Sequence, residues 1–347
     1  MYRWAECEDK PTIMALWSEA FESYEPYYSW YFNTVFQPKL TLCDFRGTTL
    51  AAMLQIAPYT LSLRGAALKA AYLVGVITAP AFRGQGLAMA LVEEAHIWLA
   101  QHGYVAALLY TDIPGFYEPL GYRHCYKRQL LDLPTAQFIL FDKANSNQSD
   151  WREGSLSEDI PTLSAIYKSM TAHYEGYIQR NQENWRVYLG EHNCDNARLT
   201  LAKNRAYVLY KMDKETLQVI ELGFVDKLAL EEALEKTTHL GVSTGAKSIN
   251  WPAPLNAPQL LPQISADFWQ PQPFVMARML SKQSVAEALG CSLKLRRLLE
   301  WLQMEMLTHL IFGVEYTPNS CPELSPKEKQ LLAEIFPPLP LWINEYT

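Results

Sequence analysis

Arg83-Gly84-Gln85-Gly86-Leu87-Ala88 is the stretch of this chain whose residue types and spacing suit chemistry on an anion. Two glycines let the backbone turn tightly and bring its N–H groups close to a ligand. The apolar spacing of the following segment, to about His102, predicts a helix. The first N–H groups of that helix lack intrahelical acceptors and carry partial positive charge. A phosphate or pyrophosphate site is the expectation, with a plain strand-to-helix turn as the alternative reading. A P-loop would need GxxxxGK[ST], which the chain lacks. A dinucleotide fingerprint would need a small residue where Met89 stands and an acid ending the next strand, which Thr111-Asp112 matches loosely.

The elements that must position this loop can be read on either side of it. Tyr72 to Thr78 is nearly continuous in apolar residues, as a central strand should be, and Pro80 ends it. Leu40 to Asp44, Leu50 to Pro58 and Val105 to Tyr110 also read as strands, so the class is mixed α/β (α+β). Glu8-Asp9-Lys10-Pro11-Thr12-Ile13 reappears 150 residues later as Glu158-Asp159-Ile160-Pro161-Thr162-Leu163. Both read as helix starts, with acids at the positive helix end and Pro in the first turn. Tyr24-Glu25-Pro26-Tyr27 and Tyr174-Glu175-Gly176-Tyr177 match in the same register, which suggests duplicated domains. The polar run Asn145 to Asp150 reads as a linker, and Pro252 to Pro273 as a second boundary. Helical spacing from Val285 to Ile311 and a Pro-rich tail through Trp342 close the chain.

Val76 to Ala88 resembles the central motif of the GNAT acetyltransferases, Q/R-x-x-G-x-G/A, here Arg83, Gly86 and Ala88. Asp112-Ile113-Pro114-Gly115-Phe116-Tyr117, leading to Gly121-Tyr122, resembles the late motif of the same family. The resemblance implies acetyl-CoA as co-substrate, with no metal. Its pantetheine arm would pair with the backbone of Val76, Ile77 and Thr78, and its pyrophosphate with N–H groups of Gly84, Gln85, Gly86, Leu87, Ala88 and Met89. It further places Tyr117 beside the thioester sulfur, and a backbone N–H near Val76 could polarise the carbonyl. A tyrosine of ordinary pKa near 10 keeps its proton at neutral pH and can donate to a thiolate of pKa near 8.5. Asp112 would lie near the cofactor, yet a carboxylate is no phosphate ligand.

Two such units followed by a helical segment resemble the enhanced intracellular survival group, whose members acetylate aminoglycoside or lysine amines. The expected architecture is tandem GNAT (acyl-CoA N-acyltransferase) folds plus a small, mainly helical C-terminal domain. Residues 1–145 would be catalytic, 151–280 a degenerate second copy, and 281–347 an abbreviated sterol-carrier-protein-like segment. In the second copy Val219 to Val225 is the counterpart strand, and Asp226 to Ala233 puts an acid where phosphate would sit, so no CoA is expected there. The resemblance also suggests the C-terminal carboxylate on Thr347 as the base, delivered through Trp342 and Tyr346.

The stretch Phe21 to Phe32 joins aromatics to acids, a surface that could hold a cation. Glu22 and Trp30 are the candidate acceptor contacts, with a packed helix pair as the alternative. The formal charge of −7 disfavours a nucleic-acid partner, and with it a tRNA-dependent aminoacyl transferase. No run of 18 apolar residues suggests a membrane span, and the amino-terminal residues lack the apolar core of a signal peptide, so a cytoplasmic location is expected. Six scattered cysteines give no zinc or disulfide pattern, and Cys125 beside His124 is the sole local hint of a nucleophile. The leading reading is an N-acetyltransferase acting on a small-molecule or peptide amine, compatible with a homo-oligomer. The competing one is a CoA-binding sensor or scaffold without catalysis.

Overall fold

The computed structural model describes residues 2–21, 23–137, 150–314 and 324–344. The first part of the chain forms β1 (Tyr2–Trp4), α1 (Lys10–Ala20), α2 (Tyr27–Thr34), β2 (Thr41–Arg46), β3 (Thr49–Leu63), β4 (Ala66–Thr78), α3 (Leu87–Gln101), β5 (Ala106–Leu109), α4 (Pro114–Tyr117) and β6 (Arg123–Pro134). The second forms β7 (Trp151–Glu153), α5 (Ile160–Thr171), β8 (Gly176–Gln179), α6 (Gln182–Cys194), β9 (Arg198–Ala202), β10 (Ala206–Asp213), β11 (Thr216–Phe224), α7 (Lys227–Thr244), β12 (Ser248–Ala253), α8 (Ala257–Leu260) and β13 (Trp269–Met279). The rest holds α9 (Lys282–Ala288), α10 (Leu293–Trp301), α11 (Met304–Phe312), α12 (Pro326–Ile335) and β14 (Leu341–Trp342). The mixed α/β class is therefore what the chain forms.

One sheet runs β1-β2-β3-β4-β5-β13-β6-β12-β11-β10-β9-β7, with β8 paired to β3 and β14 to β8. Its order is nearly palindromic about the central β13–β6 pair. β13, from the second part, lies beside β5, while β6, from the first part, lies beside β12. Each half is completed by a strand of the other, so the described residues up to 137 and those from 150 to 280 are interlocked within one sheet.

Alternation along the strands decides which helix covers which face. Leu54, Ile56, Ala71, Leu73, Ala107 and Leu109 pack under α3 through Leu91, Val92, Ala95 and Leu99. Their neighbours Met53, Tyr72, Val74, Ala106 and Leu108 belong to the core on the opposite face, which includes Ile13, Leu16 and Trp17 of α1.

The two helix-start motifs have the same local structure, with Pro11 and Pro161 in the first turn as expected and Asp9 and Asp159 at the N-cap positions. Asp9 and Asp159 do not cap α1 and α5 with their side chains. Asp9 instead pairs with Arg3 at 2.6 Å and accepts from Glu6 N, and Asp159 pairs with Arg152 and accepts from Ser155 N. An arginine on the preceding short strand outcompetes the helix end for each carboxylate.

The second sequence match fails in the structure. Tyr27 opens helix α2, whereas Gly176 and Tyr177 lie in strand β8. Gly176 is needed there because a Cβ would stand 2.3 Å from Leu341 Cδ2 of the adjoining β14. The boundary expected at Pro252 to Pro273 is also corrected, since both ends of that stretch are strands at the centre of the sheet. Pro271 and Pro273 are tolerated because this half of β13 pairs with β6 alone, and β5 begins pairing only at Met276. The polar linker expected at 145–150 lies outside the described residues except for Asp150. In the segment 281–347 the described residues are helical apart from β14 and irregular connections.

Candidate active site

Strand β4 carries an irregularity next to the loop. Met53 pairs with Ile77 and Gln55 with Val74, so Gly75 and Val76 on β4 stand against Leu54 alone. The extra residue makes a β-bulge that takes backbone groups of Gly75 and Val76 out of the ladder. Gly75 has φ +57°, and a Cβ there would meet Trp17 Cζ3 at 2.5 Å.

Beyond the bulge, Gly84 and Gly86 both adopt left-handed φ, +75° and +74°. Gly86 is the N-cap of α3, and no side chain caps that helix. The first-turn N–H groups are therefore left for a ligand or water. Arg83 Nε donates to Thr78 O at 3.2 Å and ties the loop to the end of β4. Helix α7, which follows β11, is closed by its own sequence, since Asp226 accepts from Ala229 N at 2.8 Å.

A cavity of about 680 Å³ opens over the α3 end. Val76, Ile77, Thr78, Arg83, Gly84, Gly86, Leu87, Ala88 and Met89 line it together with Tyr117. Gln85 is exposed and is not part of the lining. Phe21, Phe82, Ile113 and Phe116 add apolar wall that sequence reasoning did not single out. Tyr117 is buried, and burial pushes its hydroxyl up to about 12. It therefore keeps its proton at any ordinary pH. Asp112 accepts from Tyr110 Oη at 3.1 Å, a tyrosine partner rather than a phosphate. Cys125 is buried and its thiol is raised well above the ordinary range, so it is no nucleophile.

Trp30 is not brought to this cavity. It packs across the seam on Gly190 of α6, where a Cβ would stand 2.8 Å from Trp30 Cζ2. With Tyr27, Tyr31, Gln55, Val74, Glu183 and Glu191 it lines a second cavity of about 160 Å³. Burial raises the Glu191 carboxyl to about 8, with Asp195 adding to the shift and Lys211 opposing it. Glu191 belongs to the second half of the chain and had no signal in the local sequence. Both cavities reach β4, one at Val74 and the other from Val76 onward.

Glu22 and Thr347 lie outside the described residues, as does Tyr346. The tail can be followed to Asn344, which is buried. β14 pairs with β8, and Asn344 Nδ2 donates to Ile220 O at 3.3 Å and to Glu221 Oε2 at 3.4 Å. Glu221 in turn holds the buried Arg180 at 2.8 Å. Among the described residues no group of three or more His, Cys, Asp or Glu is placed to hold a metal ion, and no helix is long and apolar enough to cross a membrane.

Residues 1–125 match the family described as Acetyltransferase (GNAT) domain. No curated protein matches the chain in sequence. The fold is similar to a GCN5-related N-acetyltransferase from Anabaena variabilis, at TM-score 0.81 and 14% identity over 100% of both chains. It is similar to Eis1 from Mycobacterium abscessus at TM-score 0.73 and 14% identity, again over 100% of both chains. Saccharomyces cerevisiae N-myristoyltransferase with bound myristoyl-CoA aligns at TM-score 0.51 and 11% identity, over 80% of this chain and 77% of that one. The fold is that of the acyl-CoA N-acyltransferases, and the matched domain makes the chain an acyltransferase enzyme.

Proposed function

We propose, with the acetyltransferase domain at residues 1–125 as premise, that the chain transfers the acetyl group of acetyl-CoA to a primary amine. The contrast between α3 and α7 carries this reading. Each follows a long strand of its half, yet α3 starts at a left-handed glycine with uncapped donors, while α7 is stoppered by a carboxylate. A pyrophosphate suits the first and is repelled by the second, so one cofactor is held per chain. Each charge interaction at such a helix end contributes about 0.3–1 kcal/mol, and several together hold the anion.

Acetyl-CoA supplies the acetyl thioester. The chain supplies the rest. Gly84 to Met89 bind the pyrophosphate through backbone N–H groups, and Val76, Ile77 and Thr78 pair with the pantetheine arm. The Val76 N–H, released by the bulge, donates to the acetyl carbonyl and stabilises charge that develops there. Tyr117 holds a proton for the departing sulfur. An amine of lysine type, with a pKa near 10.4, must lose a proton before it attacks. We assign that proton to the carboxylate of Thr347, on a tail that is already inside the protein at Asn344.

The acceptor enters by the smaller cavity, where Tyr27, Trp30 and Tyr31 offer ring faces and Glu191 a carboxyl. The aromatic faces favour an ammonium, as in an aminoglycoside-like or lysine-like amine, and Glu191 adds its charge only as pH rises through about 8. Steady-state turnover of acetyl-CoA against a panel of primary amines tests the proposal. Saturable, amine-dependent release of CoA supports it, whereas acetyl-CoA binding with no turnover on any amine would leave a sensor and refute catalysis.

A further inference from the structure

We infer, on the reading of Tyr117 as proton donor, that Arg278 on β13 is its positioning residue, lent to the first half of the chain by the second. Arg278 stands opposite Ala107 in the β13–β5 ladder, on the strand that completes the first half of the sheet. Its NH1 donates to Leu120 O at 2.5 Å and to His96 Nδ1 at 3.0 Å. Leu120 closes the short 3-10 turn Glu118–Leu120, which follows directly on Tyr117, the last residue of α4. The next residue, Gly121 at φ +83°, lies beside the arginine, where a Cβ would stand 3.5 Å from Arg278 Cδ and Nε. The guanidinium therefore clasps the turn that fixes the backbone of Tyr117.

The second contact sets a proton. A guanidinium can only donate, so His96 Nδ1 must accept and the imidazole proton must sit on Nε2. Nε2 lies 2.8 Å from Tyr122 Oη, so His96 donates to Tyr122. Burial and the Arg278 cation push His96 down to about 3, so it stays neutral and the tautomer does not change over working pH. Tyr122 is fully buried, presents its ring edge-on to Tyr117 at a centroid distance of 5.7 Å, and donates its N–H to Tyr117 O at 3.3 Å. One arginine thus holds both the turn after Tyr117 and the aromatic wall beside it. Arg278, His96 and Tyr122 do not line the cofactor cavity, so they act through Tyr117. Placement errors of a fraction of an ångström at a reacting group lower rates steeply. The second half, which lacks a cofactor loop, is on this account part of the catalytic apparatus.

The test uses the full chain with Arg278→Met and the milder Arg278→Lys, read by kinetics and by fluorine NMR of 3-fluorotyrosine installed at position 117. Arg278→Met is expected to lower kcat about tenfold or more, with acetyl-CoA Kd and amine KM within about twofold, and to broaden or split the fluorine resonance. Arg278→Lys should fall between, and it carries the same readouts if Arg278→Met does not fold. In a Tyr117→Phe background Arg278→Met should cost no further kcat, because the group it positions is gone. An unchanged fluorine resonance, or an equal kcat loss in the Tyr117→Phe background, overturns the inference. If Tyr117→Phe alone leaves kcat intact, the donor role fails, and the resonance still decides whether Arg278 sets the ring.

Discussion

Trp17 lies over Gly75 so closely that a β-carbon on the glycine would stand 2.5 Å from the indole. The contact joins α1 to the bulge on β4, the strand that borders both cavities. A side chain at Gly75 would face two penalties at once, a left-handed φ of +57° and a rigid aromatic neighbour. Gly75→Ala should therefore destabilise the protein by about 1–3 kcal/mol, the usual range for overpacking. It should also weaken turnover more than acetyl-CoA binding, because the bulge and not the α3 end is disturbed. Thermal melting with parallel kinetics checks this, and an unchanged Tm with full kcat would show that the bulge relaxes freely.

Tyr117→Phe removes one oxygen from the wall of the larger cavity. It should lower kcat by roughly 10²-fold, typical of a lost acid–base group, and leave acetyl-CoA affinity intact. Because burial holds the Tyr117 proton up to about 12, the wild-type rate should show no loss from its ionisation between pH 6 and 9. Normal turnover by the variant across that range would remove Tyr117 from the chemistry.

Glu191 gives a pH-dependent stability with a defined sign. Its folded-state value of about 8 lies above the ordinary 4.5, so the native state binds the extra proton between those limits. Stability from this group is present below that window and declines as pH rises through it. Glu191→Gln should flatten the decline, so that its stability relative to wild type improves from about pH 5 to about pH 8.5 in denaturant titrations. Asp195 and Lys211 face the same group, and Asp195→Asn should lower its value. Since an ionised Glu191 is the form that attracts an ammonium, amine KM in Glu191→Gln should rise relative to wild type more at about pH 9 than at about pH 6. Parallel pH dependences in both proteins would take Glu191 out of the acceptor cavity.

The buried course of the tail to Asn344 gives the C-terminal proposal its test. An added segment after Thr347, or removal of residues 345–347, should cut turnover roughly 10²-fold without loss of acetyl-CoA binding. A fully active C-terminal extension would exclude the carboxylate as base.

What could be read from the sequence was local. The glycine loop, the apolar strand before it, the helix after it and Tyr117 are each set by neighbouring residues, and the structure gathers them around one cavity. The strand exchange was hidden, because a strand's identity does not say which half of a sheet it joins. Arg278 and His96 are 182 residues apart, and no spacing rule connects them. The prolines near 252–273 read as a boundary because a missing N–H usually marks a loop, yet one side of β13 has no ladder there. The echo of Tyr24 to Tyr27 in Tyr174 to Tyr177 misled because Tyr177 lies in strand β8 whereas Tyr27 opens helix α2. Trp30 was a sound candidate by type, but its position depended on α6, which only the fold brings near.

The central claim, a single acetyl-CoA held by the Arg83 to Ala88 loop, is tested most directly by calorimetric titration of the wild type and of Gly86→Val. Gly86 has no atom within 4 Å of a would-be Cβ, so the substitution acts on the backbone, forcing a β-branched residue into φ +74° at the mouth of α3. The account predicts a stoichiometry near one for the wild type, and a loss of affinity of about 100-fold or more in Gly86→Val with the fold retained by circular dichroism. A stoichiometry near two, or wild-type affinity in Gly86→Val, would contradict it.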